Sequence, residues 1–268
     1  MPSTLWQRYG YLANISYMNN TFIHELDIQK ANISILYWKG AISQSEYDTL
    51  FQAERMVRQV YIGKLQRDNP NISKILKEGI IEAKQALFEA NNIQDSDVLA
   101  IKNDAVYVIG TLPQYLEFGI VKFIPKNIYT GYYKLGNLEL YYYYNKIGPA
   151  EKLDVKGISS DALALHAEYF YRFLCDLFYI IQCEGIIPAQ RMLKHFYIQY
   201  IGRMLPVGFY RQFNTISKYH LRSVTSNGVG FQIADEYIQD PRLLDITANL
   251  KHLVDLNKVL TTAYFKNR

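Results

Sequence analysis

The sequence predicts an α+β fold: an antiparallel sheet with packed helices over residues 1–147, followed by a helical domain over residues 148–268. Three observations lead there. Short apolar runs of strand character, Phe22–Ile28, Val98–Ile109 and Ile120–Tyr144, share the first half of the chain with two amphipathic helical stretches. Beyond Gly148-Pro149 the period changes, and apolar residues recur at helical spacing. The composition is globular, 49% hydrophobic and 20% charged over 268 residues, which is enough chain to bury one large core or two small ones.

Residues 1–21, in which Trp6, Tyr9, Tyr11 and Tyr17 alternate with Gly10, Asn14, Asn19 and Asn20, read as an irregular or short helical lead-in packed on the first strand. In the strand Phe22–Ile28 alternate side chains share a face, so Glu25 and Asp27 point one way and His24, Leu26 and Ile28 the other. Ala31–Trp38 is a short buried helix stopped by Lys39-Gly40. Ser43-Gln44-Ser45-Glu46 has the form of a capping box and opens a basic helix that runs to Gln66. Its core stripe is Tyr47, Leu50, Phe51, Val57, Val60 and Tyr61, and its other side carries Gln52, Arg55, Arg58 and Gln59. After the break at Asp68–Asn71, Ser73 caps a second helix that ends near Asn91. Its stripe of Ile75, Leu76, Ile80, Ala83, Leu87 and Phe88 packs under the sheet, and Lys74, Lys77 and Lys84 form a solvated face.

Two apolar runs around Lys102-Asn103-Asp104 make a hairpin with a carboxylate at its tip. Thr111–Gly119, with Pro113, is a loop near that tip. Ile120–Ile124 is a further strand, and Tyr129–Leu135 pairs with Asn137–Tyr144 about Gly136-Asn137. Tyr141, Tyr142, Tyr143 and Tyr144 then alternate between core and surface. In the second half Ser159-Ser160-Asp161 caps a helix to Cys183, Gly185 stops it, and Pro188 starts another to Ile201. A third helical segment after Pro206 carries Arg211, Lys218, His220 and Arg222. Ser226–Gly230 is a loop, and Leu243–Tyr264 is the last helix. His166 and His195, set among apolar residues, read as core histidines.

Net charge +4 and a pI near 8.8 permit a nucleic-acid partner without requiring one. The 24 tyrosines suit base stacking, sugar contact and protein interfaces, and they also follow from an AT-rich coding sequence. Cys175 and Cys183 are separated along a helix by roughly 12 Å, too far for a disulfide within it, and no Cys-x-x-Cys or His pair suggests zinc. A reducing, intracellular setting fits. The N-terminus lacks a basic-then-apolar signal pattern and no run of about 18 apolar residues occurs, so neither secretion nor a membrane partner is expected. No Ser-His-Asp or Cys-His arrangement follows from the spacing.

What chemistry the sequence does offer has the order acid, base, acid. Asp27 on its strand beside Asp104 at the hairpin tip makes a seat for Mg²⁺ or Mn²⁺, hard cations that take carboxylate oxygens and keep substrate phosphates as further ligands. Arg55 and Arg58, one turn apart and followed by Gly63-Lys64, suit a triphosphate: Arg offers a planar fork of donors, Lys a point charge, and Gly lets the backbone approach.

This order resembles the palm of template-dependent polymerases of family B. Leu26-Asp27-Ile28-Gln29-Lys30-Ala31-Asn32 stands in the place of motif A, Arg55–Lys64 in that of the motif B fingers helix, and Lys102-Asn103-Asp104 in that of motif C. The resemblance covers residues 22–146 and departs from the family at two points. Asn32 stands where a sugar-screening Tyr belongs, and Lys102 stands where motif C has its first Asp.

The resemblance implies a palm-like domain followed by a helical thumb-like one, with Lys194, Arg203, Arg211, Lys218 and Arg222 on duplex backbone. It implies a nucleotidyltransferase with Asp27 and Asp104 as catalytic acids and metal ligands. Glu25 would be an auxiliary ligand, and Arg55, Arg58, Lys64 and Asn32 would bind substrate. Nucleic acid and nucleoside triphosphates would be partners, and a viral protein at work in a host cytoplasm is the expected context. Two other readings compete: a non-catalytic, Tyr-rich interaction protein with a protein partner, and a degenerate polymerase that only binds nucleic acid.

Overall fold

The computed structural model describes residues 3–135, 138–143, 153–156, 168–205, 220–225, 228–233 and 247–266. The fold is α+β, as expected, and the chain forms two compact units. One comprises Met1–Ile15 with Thr21–Ile128, the other Ser16–Asn20 with Tyr129–Arg268. The expected boundary at 147/148 lies outside the described residues.

In the first unit a 3₁₀ turn (Leu5–Gln7) precedes β1 (Gly10–Leu12), β2 (Tyr17–Ile28), α1 (Ala31–Trp38), α2 (Gln44–Gln52), α3 (Arg55–Asp68) and α4 (Asn71–Ala90). The hairpin β3 (Val98–Lys102) and β4 (Ala105–Ile109) follows, then β5 (Glu117–Phe118) and β6 (Val121–Leu135). The sheet order is β1-β3-β4-β2-β6. The chain leaves β2, crosses through four helices to β3, and turns back so that β4 lies antiparallel to both β3 and β2. This is a split β-α-β arrangement in which β4 lies between β3 and the acidic strand β2.

Helices cover one face of this sheet. Leu26 and Ile28 of β2, Val106 and Val108 of β4, and Val121 and Phe123 of β6 share a single core with Ile33 and Leu36 of α1, Ile62 of α3 and Ile80, Ala83 and Leu87 of α4. The alternation read from the sequence therefore holds, and Glu25 and Asp27 occupy the face opposite the helices. Helices α1 and α4 touch at Gly79, where a methyl group would collide with Cγ2 of Ile35. The residues 5–12 pack on β3 rather than on β2, as the register Gly10↔Lys102 shows.

The basic helix expected as one element is two. Ser43 does accept from the Glu46 amide in a complete capping box, but α2 ends at Gln52, and Ala53 and Glu54 are extended before α3 begins. The break resets the helical phase. Val57 and Val60, expected in the core, are 53% and 68% exposed, Met56 is 74% exposed, and Ile62 is the buried residue of α3. A second correction concerns Lys84. Instead of sharing a solvated face with Lys74 and Lys77, it is fully buried in α4. That helix begins at Asn71, so Ser73 lies inside it.

In the second unit the later residues of β6 pair with β7 (Leu138–Tyr142), which pairs with β8 (Leu153–Lys156), both antiparallel. The strands expected at 120–124 and 129–135 are thus one continuous β6 that contains Pro125. Helices α5 (Glu168–Cys183), α6 (Ile186–Ile201) and α7 (Thr247–Lys266) follow, with the hairpin β9 (His220–Thr225) and β10 (Gly228–Ile233) between α6 and α7. Phe173 stacks on Phe196 at 3.7 Å and Tyr133 on Phe178 at 4.1 Å, within a core that includes Leu177, Leu193, Leu253 and Leu256.

Tyr141 and Tyr142, expected to divide between core and surface, are both fully buried, because both faces of β7 are covered. Gly228–Gly230 of the expected loop belong to β10, and His220 and Arg222 of the helical segment expected after Pro206 lie in β9, paired antiparallel with it; Ser226 and Asn227 lie outside the described residues. His195 is exposed on α6, not in the core. His166, Arg211 and Lys218 lie outside the described residues, as do the side chain of Arg222 and the Asp161 cap. Cys175 is buried, Cys183 exposed, and both are free thiols. Among the described residues no helix is long and apolar enough to cross a membrane.

Candidate functional site

The register of β2 against β4 builds the site: Glu25 lies opposite Tyr107 and Asp27 opposite Ala105. Asp104 immediately precedes Ala105, so the hairpin tip carries its carboxylate beside Asp27. The tip needs a residue at positive φ, which Asn103 supplies at 58°, and the Asn103 amide donates to the Tyr9 carbonyl at 2.8 Å.

Glu25 is buried and held at both oxygens. Tyr107 donates its hydroxyl to Oε1 at 2.7 Å, and the Asn127 amide donates to Oε2. Asp27 is more open and accepts from Lys126, whose Nζ lies 2.7 Å from Oδ2 and 4.0 Å from Oε1 of Glu25. The hydrogen bond it donates to Asp27 is the main reason that the Lys126 ammonium titrates above the ordinary lysine range. Lys102 sits over the Tyr107 ring at 5.5 Å.

Burial pushes the Asp104 carboxyl above the ordinary aspartate range, and the negative charge of Asp27 adds to the effect. Its own backbone amide, Lys126 and Lys84 pull the other way. Lys84 reaches this group from α4. It donates to the Arg8 carbonyl, lies 5.4 Å from the centre of the Tyr9 ring, and is brought down to about 8 by burial, against the opposing pull of Asp104.

Three of the expected site residues, Glu25, Asp27 and Asp104, are thus brought together. The other four stand elsewhere in the same unit. Asn32 is exposed on the first turn of α1, and Arg55 and Lys64 are exposed on α3, whose buried residue belongs to the helical layer on the opposite face of the sheet. Arg58 donates to the Ala53 carbonyl and bridges the break between α2 and α3. Among the described residues none of these four bonds to the acids.

The donor set is hard oxygen: two carboxylates, from Asp27 and Asp104, with Glu25 already fully engaged behind them. Among the described residues no group of three or more His, Cys, Asp or Glu side chains gathers as a metal cage. Asp27 and Asp104 are therefore the residues that could hold a hard cation, of the kind for which one or two protein carboxylates are completed by water and substrate phosphate.

Four participants went unread in the sequence: Tyr107, Lys126, Asn127 and Lys84. Lys84 had a signal, since it falls four residues after Ile80 and three before Leu87, squarely on the core stripe. Tyr107 had one as well, as the central residue of a strand whose neighbours Val106 and Val108 face the core. Lys126 and Asn127 follow Pro125 inside a strand, and only the tertiary pairing of β2 with β6 sets them against the acids.

No curated protein matches the sequence. A family model does, over residues 1–262, and so over nearly all of both units: its description is the bacteriophage PBS1 gene 130 protein, and the chain belongs to that family.

Proposed function

We propose that the chain is a metal-dependent nucleotidyltransferase of the palm kind, acting on primed nucleic acid and nucleoside triphosphates inside the phage-infected host cell. The observation that supports this best is the register that sets Asp27 of β2 opposite Ala105, next to the hairpin-tip Asp104, close enough for the two charges to interact, in a split β-α-β sheet whose described helices cover the other face. Asp27 and Asp104 would hold Mg²⁺ or Mn²⁺, which would supply activation of a 3′-hydroxyl and charge neutralisation for the leaving pyrophosphate. The chain's own residues do the positioning. Tyr107 and Asn127 fix the Glu25 carboxyl behind the pair. Lys126 offers an exposed ammonium beside Asp27, whereas Arg55 and Lys64, exposed on α3 in the layer across the sheet, would need a substrate that reaches past the acids, and Arg58 is committed to Ala53. Asn32, smaller than Tyr, leaves room for a ribose 2′-hydroxyl.

Thermal melting with each of the eight nucleoside triphosphates, with and without Mg²⁺ or Mn²⁺, tests the reading. A ligand at one hundred times its dissociation constant stabilises by about 2.7 kcal/mol, so a metal-dependent rise in Tm is expected in the wild type and not in Asp27→Asn. Primer extension by the wild type, lost in Asp27→Asn and Asp104→Asn, completes the case. Incorporation that survives both substitutions would sink the assignment.

One observation favours a second reading, a degenerate polymerase that binds nucleic acid without chemistry: Lys126 on Asp27 already supplies counter-charge to the acids. Tight binding of primed DNA with no incorporation under either metal would select it.

A further inference from the structure

Lys126 is not held as a structural counter-ion is held. Its side chain is 54% exposed, against 3% for that of Glu25 and 21% for that of Asp27, and solvent-exposed pairs of this type contribute little to stability. The backbone on either side of it is anchored independently of its ammonium. Pro125 restricts the chain before it, and Asn127 after it is tied to the buried Glu25. The ammonium can therefore leave Asp27 by rotation of one long, flexible side chain, with no movement of the strand. Within its reach stand the two acids of the candidate cation pair and the Glu25 carboxylate, with only Glu25 fully committed elsewhere.

We propose that Lys126 is an exchangeable, built-in cation: it occupies the Asp27 carboxylate in the free protein, is displaced when a divalent cation takes that carboxylate, and then presents its ammonium to a phosphate of the arriving substrate. This rests on the reading of Asp27 and Asp104 as a cation-binding pair. It makes Lys126 a competitor of the metal in the empty site and a partner of the substrate in the loaded one. Such a device keeps like charges from facing each other before substrate arrives. It also couples metal uptake to phosphate binding, because the displaced ammonium regains a counter-charge only when an anion follows.

The experiment is titration of the full chain with Mn²⁺ alone, free Mn²⁺ being read by electron paramagnetic resonance. Lys126→Met should bind Mn²⁺ at least tenfold tighter than the wild type. Lys126→Arg, which keeps the charge, should bind no tighter than wild type, and Asp27→Asn should abolish the gain in the Lys126→Met background. Should Lys126→Met fail to fold by far-ultraviolet circular dichroism, Lys126→Gln keeps a donor to Asp27 without the charge and is expected to show the same gain. Unchanged or weaker Mn²⁺ affinity on removal of the charge, or no saturable uptake by a folded variant, overturns the proposal. Tighter Mn²⁺ binding without primer extension by any variant would instead sink the nucleotidyl-transfer reading and leave the exchangeable cation standing.

Discussion

Asp104 and Lys84 meet as two ionisable groups that each titrate away from their ordinary range. A carboxyl whose pKa is raised in the fold holds its proton more tightly there than in the unfolded chain. Its stabilising contribution is complete below the ordinary aspartate value of 3.8 and is lost as pH rises through the folded value. Ionised Asp104 therefore weakens the fold at neutral pH. Asp104→Asn is expected to raise Tm at pH 7, with the advantage over wild type closing as the pH approaches 3.8; scanning calorimetry across that range checks it. Lys84 has the opposite sign: its contribution is present above 10.5 and is lost as pH falls through about 8. Since Lys84 and Lys126 both draw the Asp104 carboxyl down, Lys84→Met should move its titration further up, which carboxylate ¹³C NMR would follow. An unmoved titration would mean that Lys84 acts only on the Arg8 carbonyl. An acid kept at some cost to stability is the pattern of a working site rather than of a structural one.

At the scale of elements, the contact of α1 with α4 sets how the crossover helices lie on the sheet. Gly79 is the only residue without a side chain to clash with Ile35 there. Two effects oppose each other in Gly79→Ala: a gain of about 1 kcal/mol in helix propensity and an overpacking cost of about 1–3 kcal/mol. The backbone-like rigidity of the Ile35 Cγ2 branch makes overpacking the larger, so a net loss of about 1 kcal/mol is expected from the shift in denaturant midpoint. Adding Ile35→Ala to Gly79→Ala should cost less than Ile35→Ala and Gly79→Ala summed, since the shortened side chain vacates the methyl's place. The split of α2 from α3 matters for function in the same way. Without the extended Ala53 and Glu54, the stripe that starts at Tyr47 would have buried Val57 and Val60. With them, α3 turns Arg55, Met56, Val57, Val60 and Lys64 outward.

For the whole molecule, a net charge of +4 spread over 29 basic and 25 acidic residues predicts modest, salt-sensitive attraction to nucleic acid rather than tight non-specific binding. Each phosphate neutralised contributes about 0.9 to the slope of log K against log salt, so a slope of roughly 2–4 is expected for a primed duplex in fluorescence anisotropy between 50 and 200 mM salt. Asp27→Asn should leave that slope unchanged, because it alters the acid pair and not the basic surface. A slope near zero would point instead to the protein-binding reading of the tyrosine-rich composition.

Features governed by near neighbours were legible in the sequence. Alternation placed Glu25 and Asp27 on one face of β2, a two-residue turn put Asp104 at a hairpin tip, and Ser43 with Glu46 marked the start of α2. Each of these follows from the rotation per residue or from a bond within four residues. Tertiary structure alone decided which distant groups meet. It buried Lys84, whose helical phase was readable but whose partners Arg8 and Asp104 come from the end of the N-terminal 3₁₀ turn and from the hairpin tip. It set Lys126 and Asn127 against acids about a hundred residues away in the chain. It also kept Arg55, Arg58 and Lys64 in the helical layer, away from the face that carries the carboxylates. Local spacing fixes the direction in which a side chain points, whereas the order of strands in the sheet fixes what it points at.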